Sequence, residues 1–163
     1  MAMDPQKKII GGLEKLKMVC NEVKVQGSEV VLTSGCFDIL HGDHLKYLCA
    51  AGELGYLIVG INSDAFVKKL KGDSRPIRNQ EDRAFLMAGF FTVQLVTIFD
   101  SDYDLIREVS PDFYVASETS HVSIWDDVKR INLLKEIGSE IIELGSKKRD
   151  STTAIIKRVS EAV

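Results

Sequence analysis

Two histidines three residues apart close the stretch Thr33-Ser34-Gly35-Cys36-Phe37-Asp38-Ile39-Leu40-His41-Gly42-Asp43-His44. If a helix starts near them, both rings share one face beside its N-terminus. That end offers unpaired N–H groups and the positive end of the dipole, which suits a phosphate. Two imidazoles there can donate hydrogen bonds to phosphate oxygens and to charge that develops in a transition state. Gly35 is expected to make a tight turn, after which backbone amides could face an anion. Two other uses of the pair stay open: capping or half-buried structural groups, and a metal site. The second is under-supplied, because His-x-x-His gives two ligands and tetrahedral zinc wants three or four.

Two further segments carry concentrated charge or hydroxyls. Lys68, Lys69, Lys71, Arg75 and Arg78 follow Asn62-Ser63-Asp64. On a mobile loop, such side chains could neutralise a triphosphate as it binds and reacts; alone, the run also fits a solvated surface. Near the C-terminus, Lys147, Lys148, Arg149 and Asp150 precede Ser151, Thr152 and Thr153. Those hydroxyls suit a helix N-cap, and together with the cations they also suit a second phosphate cradle.

Such groups need a frame. Short apolar runs at Val30–Leu32, Leu57–Ile61, Leu95–Phe99, Phe113–Val115 and Ile141–Leu144 read as buried strands. Helical spacing is predicted at Asp43–Leu54, Gln80–Gly89, Tyr103–Val109, Asp126–Ile137 and Ser151–Ala162, and in a leading helix from Pro5 to Val25. Strand and helix in alternation make an α/β fold: a doubly wound, Rossmann-like parallel sheet of about five strands with helices on both faces. We expect a single domain over residues 1–163, with 1–27 as an N-terminal helix extension and 28–163 as the core. Ligands of such sheets sit beyond the C-terminal strand ends, where the strand order reverses. All three charged or histidine-bearing segments follow predicted strands.

Bulk properties narrow the classes. The 163 residues carry 21 basic and 24 acidic side chains, a formal charge of −3, which disfavours a nucleic-acid partner. No apolar run approaches the roughly 20 residues that span a bilayer. Three cysteines, Cys20, Cys36 and Cys49, lack paired spacing and suggest free thiols in a reducing, cytoplasmic setting.

In order, these residues resemble the cytidylyltransferase-like (HxGH) nucleotidyltransferases, nearest the nucleotidyltransferase domain of bacterial ADP-heptose synthases and then glycerol-3-phosphate cytidylyltransferases. The likeness is carried by Ser34 to His41, Asn62-Ser63-Asp64, Leu70 to Pro76 and on through Arg83, and Ser151-Thr152-Thr153. It implies that an acceptor phosphate attacks the α-phosphorus of ATP or CTP and releases pyrophosphate, usually with Mg²⁺. His41, His44 and Lys71 would then be catalytic. Gly35, Cys36, Phe37, Asp38, Gly42, Asp43 and residues 147–153 would hold the nucleotide. Lys69 and Arg75 would bind a phosphorylated small acceptor, and Glu118 would be a candidate for reading the base. No side-chain metal ligands are implied, and a homodimer is the family's common state.

Four positions depart from the family pattern. Asp43 stands where glycine precedes the second histidine, and a carboxylate there repels a triphosphate unless it turns away or a metal bridges the two. Ala116-Ser117-Glu118-Thr119 replaces a Lys-Gly-Gly-Asp run, Gln94 replaces an aspartate, and Ser146 replaces an arginine. Taken together, as changes clustered in the site, they fit a shift of substrate or a catalytically silent nucleotide-binding module. Trp125 and His121 are candidates for lining the acceptor pocket or for packing.

Overall fold

The computed structural model describes residues 4–118, 123–145 and 150–162. Each apolar run becomes a strand: β1 (Val30–Gly35), β2 (Tyr56–Asn62), β3 (Leu95–Phe99), β4 (Phe113–Ser117) and β5 (Glu140–Leu144). All pair in parallel, in the order β3-β2-β1-β4-β5. Strand order therefore reverses between β1 and β4, and ligand crevices form at such a switch.

Helices α1 (Leu13–Val25), α2 (Gly42–Gly52), α3 (Asp64–Lys71), α4 (Gln80–Ala88), α5 (Asp102–Val109), α6 (Val128–Glu136) and α7 (Thr152–Ala162) alternate with the strands. Side chains alternate across the sheet, so each strand feeds two cores. Val30, Leu32 and Ile58 pack with Leu16 and Cys20 of α1, Leu105 and Ile106 of α5, and Leu134 of α6. Val31, Leu57, Val59 and Ile61 pack on the other face with Leu48 and Ala51 of α2 and Met87 and Ala88 of α4. The N-terminal helix is thus part of one core layer rather than an appendage.

Two expectations about local structure are corrected. The leading helix does not run from Pro5 to Val25. A short 3-10 turn (Pro5–Lys8) is followed by extended chain, with Ile9 bridged to Val96 and the Ile10 N–H donating to the Val96 carbonyl. Gly12, at φ 86°, then starts α1. The edge of β3 offers Ile9 and Ile10 backbone partners and burial that a helix across Gly11-Gly12 would forgo. Second, the lysines after β2 lie on a helix, not a mobile loop. Ser63 caps α3 by accepting the Phe66 N–H, Val67 is buried, and Phe66 meets the Phe99 ring.

Candidate active site

Helix α2 begins one residue after His41, which has extended backbone and acts as the N-cap residue without a side-chain capping bond. One turn on, the His44 ring lies against it, with ring centroids 3.9 Å apart and planes inclined at 33°. Neither Nδ1 has a hydrogen-bond partner among the described residues, although both atoms are buried. Native proteins rarely leave buried polar atoms unpaired without a reason. Burial, followed by the neighbouring His41, pulls the His44 pKa down to about 4; Lys71 adds to this and Asp43 opposes it. Neutral at pH 7, the His44 ring keeps one N–H to donate and loses little solvation when an anion arrives.

The turn ahead of the histidines is made by Phe37 (φ 47°), not by Gly35. A bulky residue in the left-handed region costs roughly 1–3 kcal/mol and marks a constrained loop. Gly35 ends β1 and serves a different need, since a Cβ there would stand 3.1 Å from the Phe37 ring. That ring in turn lies 5.4 Å from His44, centroid to centroid.

Asp38, expected at the nucleotide, is 2% exposed and commits its carboxylate to protein partners. It accepts from Arg75 Nε at 2.7 Å and from the N–H groups of Ile77 and Arg78 at 2.9–3.0 Å. Burial raises its pKa, but those donors outweigh burial and hold it below the usual carboxylate range. Arg75, expected at the acceptor, is thereby tied to Asp38. Arg83 completes the clip with its side chain fully buried. It donates to the carbonyls of Arg78, Cys36 and Asn62 and to Asp64 Oδ1, at 2.6–3.0 Å. Three segments, at Cys36, Asn62–Asp64 and Arg78, meet on one guanidinium.

Lys69 and Lys71 are both exposed, on the last turn of α3. Residues two apart on a helix point about 200° apart, so the pair does not share a face; Lys68 is the residue that shares one with Lys71. Lys71 acts on both the His44 ring and the Cys36 thiol: burial pushes that thiol up, and Lys71 is the leading opposing charge.

At the head of α7, Ser151 caps the helix by accepting the Ala154 N–H, and Thr152 Oγ1 donates to the Ile39 carbonyl at 3.2 Å. Thr153 is exposed. Asp43 turns toward this helix: its Oδ2 accepts the Asp150 N–H at 3.0 Å, and Lys46 approaches its Oδ1 at 3.9 Å. Its carboxylate so links the starts of α2 and α7. Asp150 is itself paired with Arg158, whose hydrogen bonds hold its pKa low. Lys147, Lys148 and Arg149, expected to hold the nucleotide, lie outside the described residues, as do Ser146, Thr119 and His121.

Glu118 is exposed just past β4, and its carboxylate rests over Gly145, where any Cβ would collide with it. Gly42 is exposed in the first turn of α2. Trp125 Nε1 donates to Glu143 at 2.9 Å. Gln94 is not in the site: it precedes β3 at the opposite, N-terminal edge of the sheet. There its Oε1 accepts the Leu57 N–H at 2.7 Å. Counting it among clustered site changes is therefore wrong; the amide serves as a local strand anchor.

Sequence reasoning does not single out a role for Arg83, Tyr47 or Asp102. Arg83 sits in helical register with buried Met87, a charged residue on an apolar face, and that signal is present in the sequence. Tyr47, half-buried on α2, bonds Thr33 at 2.6 Å and donates to the Val115 carbonyl at 2.8 Å, spanning the β1–β4 switch.

Parallel order, the switch between β1 and β4, and paired histidines opening the first crossover helix define a class. Residues 32–158 match the cytidylyltransferase-like family, and the chain belongs to it; by class it is a nucleotidyltransferase. Among curated relatives, the bifunctional protein HldE of a Nitratiruptor species is 42% identical over 159 residues, 95% of this chain and 33% of that one. HldE of Campylobacter concisus is 44% identical over 140 residues, 82% and 28% of the two chains. The chain thus spans about a third of the length of these relatives. A lipopolysaccharide core biosynthesis protein from Thermoplasma volcanium shares the fold with TM-score 0.62 at 23% identity, over 76% of this chain and 100% of that one.

Proposed function

We propose that this chain transfers a nucleoside monophosphate from ATP or CTP to a small phosphorylated acceptor, a sugar phosphate in keeping with the resemblance to ADP-heptose synthases, and releases pyrophosphate. The observation that carries this is the stacked His41–His44 pair at the start of α2, with two buried ring nitrogens that have no partner among the described residues. The imidazoles stabilise charge on the α-phosphate and leaving group, Lys71 stands beside them, and the head of α7 receives the outer phosphates. Phosphoryl chemistry of this kind asks for positioning and electrostatic stabilisation, not for an activated protein nucleophile.

Among the described residues no group of three or more His, Cys, Asp or Glu side chains is placed to hold a metal ion. Mg²⁺ is the metal that the resemblance implies for the reaction. No helix among the described residues is long and apolar enough to cross a membrane. A homodimer, the family's common state, is in keeping with α7: no side chain of it is buried, and Val159 is 59% exposed. Sedimentation at micromolar concentration tests that state.

The deciding experiment crosses four nucleoside triphosphates with phosphorylated sugars and alcohols and measures pyrophosphate. Turnover should need both substrates and Mg²⁺, and His44→Ala should lower kcat about 10²–10³-fold. Folded protein that turns over no combination defeats the proposal. Nucleotide binding by calorimetry without turnover would favour a silent module, the reading that Asp43 between the histidines supports.

A further inference from the structure

Outside the clip and the histidine pair, one polar network stands out, on the α5–α6 side of the crevice between β1 and β4. Ser34 Oγ, at the C-terminal end of β1, donates to Asp102 Oδ1 at 3.0 Å and lies 3.2 Å from the Tyr114 hydroxyl. Arg130 of α6 reaches Asp102 Oδ2 at 3.0 Å, Asp127 Oδ2 at 3.3 Å and the Tyr114 hydroxyl at 3.3 Å. The carboxylates and guanidinium are mostly sheltered, the Asp102 side chain 13% and the Arg130 side chain 20% exposed. Arg130 Nε is buried and has no partner among the described residues.

As a bare cross-link this is a weak stabiliser, because apolar packing of similar volume usually does as well without desolvating three charges. Its place supplies another use. The network stands at the strand-order switch, with Ser34 two residues before Cys36, while the histidines open α2, Lys71 ends α3 and the third segment heads α7. Two carboxylates against one guanidinium leave an excess negative charge, which repels a phosphate. The same groups match neutral hydroxyls well: the carboxylates accept, Arg130 donates, and Ser34 does either.

We infer that Ser34, Asp102 and Arg130, with the buried Tyr114 hydroxyl holding Ser34 and Arg130 in place, read hydroxyl groups on the carbon skeleton of the acceptor, and so make the chain selective for a polyhydroxylated phosphate over a simple alcohol phosphate. This rests on the proposed nucleotidyl transfer. The acceptor phosphate lies toward Lys71 and the histidines, and the hydroxylated carbons lie over the β1–β4 crevice. A site built to bond hydroxyls rejects analogues that lack them, because its own buried groups are left unpaired.

The test compares wild type and Asp102→Asn, with Arg130→Lys as a second variant, on sugar 1-phosphates, their deoxy analogues and glycerol phosphate. Pyrophosphate release gives KM and kcat, and calorimetry gives acceptor binding. Wild type should favour fully hydroxylated acceptors by at least about tenfold in kcat/KM, mainly through KM. Asp102→Asn should flatten that preference to within about twofold while leaving the KM for triphosphate unchanged. Because the readout is a ratio within one protein, partial misfolding does not mimic it. An unchanged preference in both variants overturns the inference and leaves nucleotidyl transfer standing; so does turnover with glycerol phosphate alone. Sugar phosphate binding that Asp102→Asn weakens, with no turnover in any protein, upholds the inference and removes the proposed reaction. No sugar phosphate binding at all overturns it.

Discussion

Asp38, on the loop after β1, and His44, in the first turn of α2, lie six residues apart, and the protein treats their polar atoms in opposite ways. Around Asp38 the bonding is complete: Arg75 and two backbone N–H groups occupy the carboxylate, while Arg83 serves four acceptors nearby. Around His44 it is incomplete among the described residues, with two buried ring nitrogens unpaired and a proton-averse imidazole. The Asp38 cluster, saturated and buried, holds shape. An unsaturated one costs stability and keeps its bonding capacity for a substrate. Between these two clusters, unsatisfied hydrogen-bonding groups rather than charge tell scaffold from site.

The largest effect that would break this contrast is expected at Arg83. Arg83→Ala leaves Asp64 and three carbonyls without their buried donor and should lower unfolding free energy by about 3–5 kcal/mol in urea titration. A loss under about 1 kcal/mol would remove the clip from the scaffold. His44→Ala, by contrast, should leave stability at pH 7 nearly untouched.

Next comes pH. Folding lowers the His44 pKa from 6.5 to about 4, so between those values the unfolded chain binds the proton more readily. Its contribution is complete above about pH 6.5 and is lost as pH falls toward 4, by up to about 3 kcal/mol. Subtracting the Tm–pH curve of His44→Gln from that of wild type should isolate the slope, and coincident curves would contradict the buried neutral ring. The smallest effect sharpens the border between the regions. Asp43→Asn keeps an acceptor for the Asp150 N–H and removes a negative charge, so triphosphate should bind several-fold tighter, roughly 1 kcal/mol, at nearly constant Tm. Weaker binding in calorimetry would instead make the Asp43 charge part of nucleotide capture.

Much of the frame is legible in one dimension because its signals are local. Leu95–Phe99 is the same strand in sequence and structure, and the other four strands differ only at their ends. Apolar β-branched runs and the caps at Asn79 and Ser101 act over a few residues. Helix α3 escapes a sequence reading because its lysine-rich end reads as loop, while its evidence, the Ser63 cap and the Phe66–Phe99 contact, is partly tertiary.

The amino-acid order is enough to establish an alternating α/β frame, a histidine pair opening its first crossover helix, and cations and hydroxyls after later strands. Spacing along the chain determines those features. Which polar groups remain unsatisfied is decided only by folding. Asp38 and Arg75 look like ligand-binding residues in the sequence and bond each other in the fold; Gln94 looks like a change in the site and lies at the far edge of the sheet. Asp43 turns to α7, and Ser34, Asp102, Tyr114 and Arg130, from four separate elements, meet at one crevice. Hydrogen-bond partners from 16 to 107 residues apart are chosen by packing, and no local pattern records them.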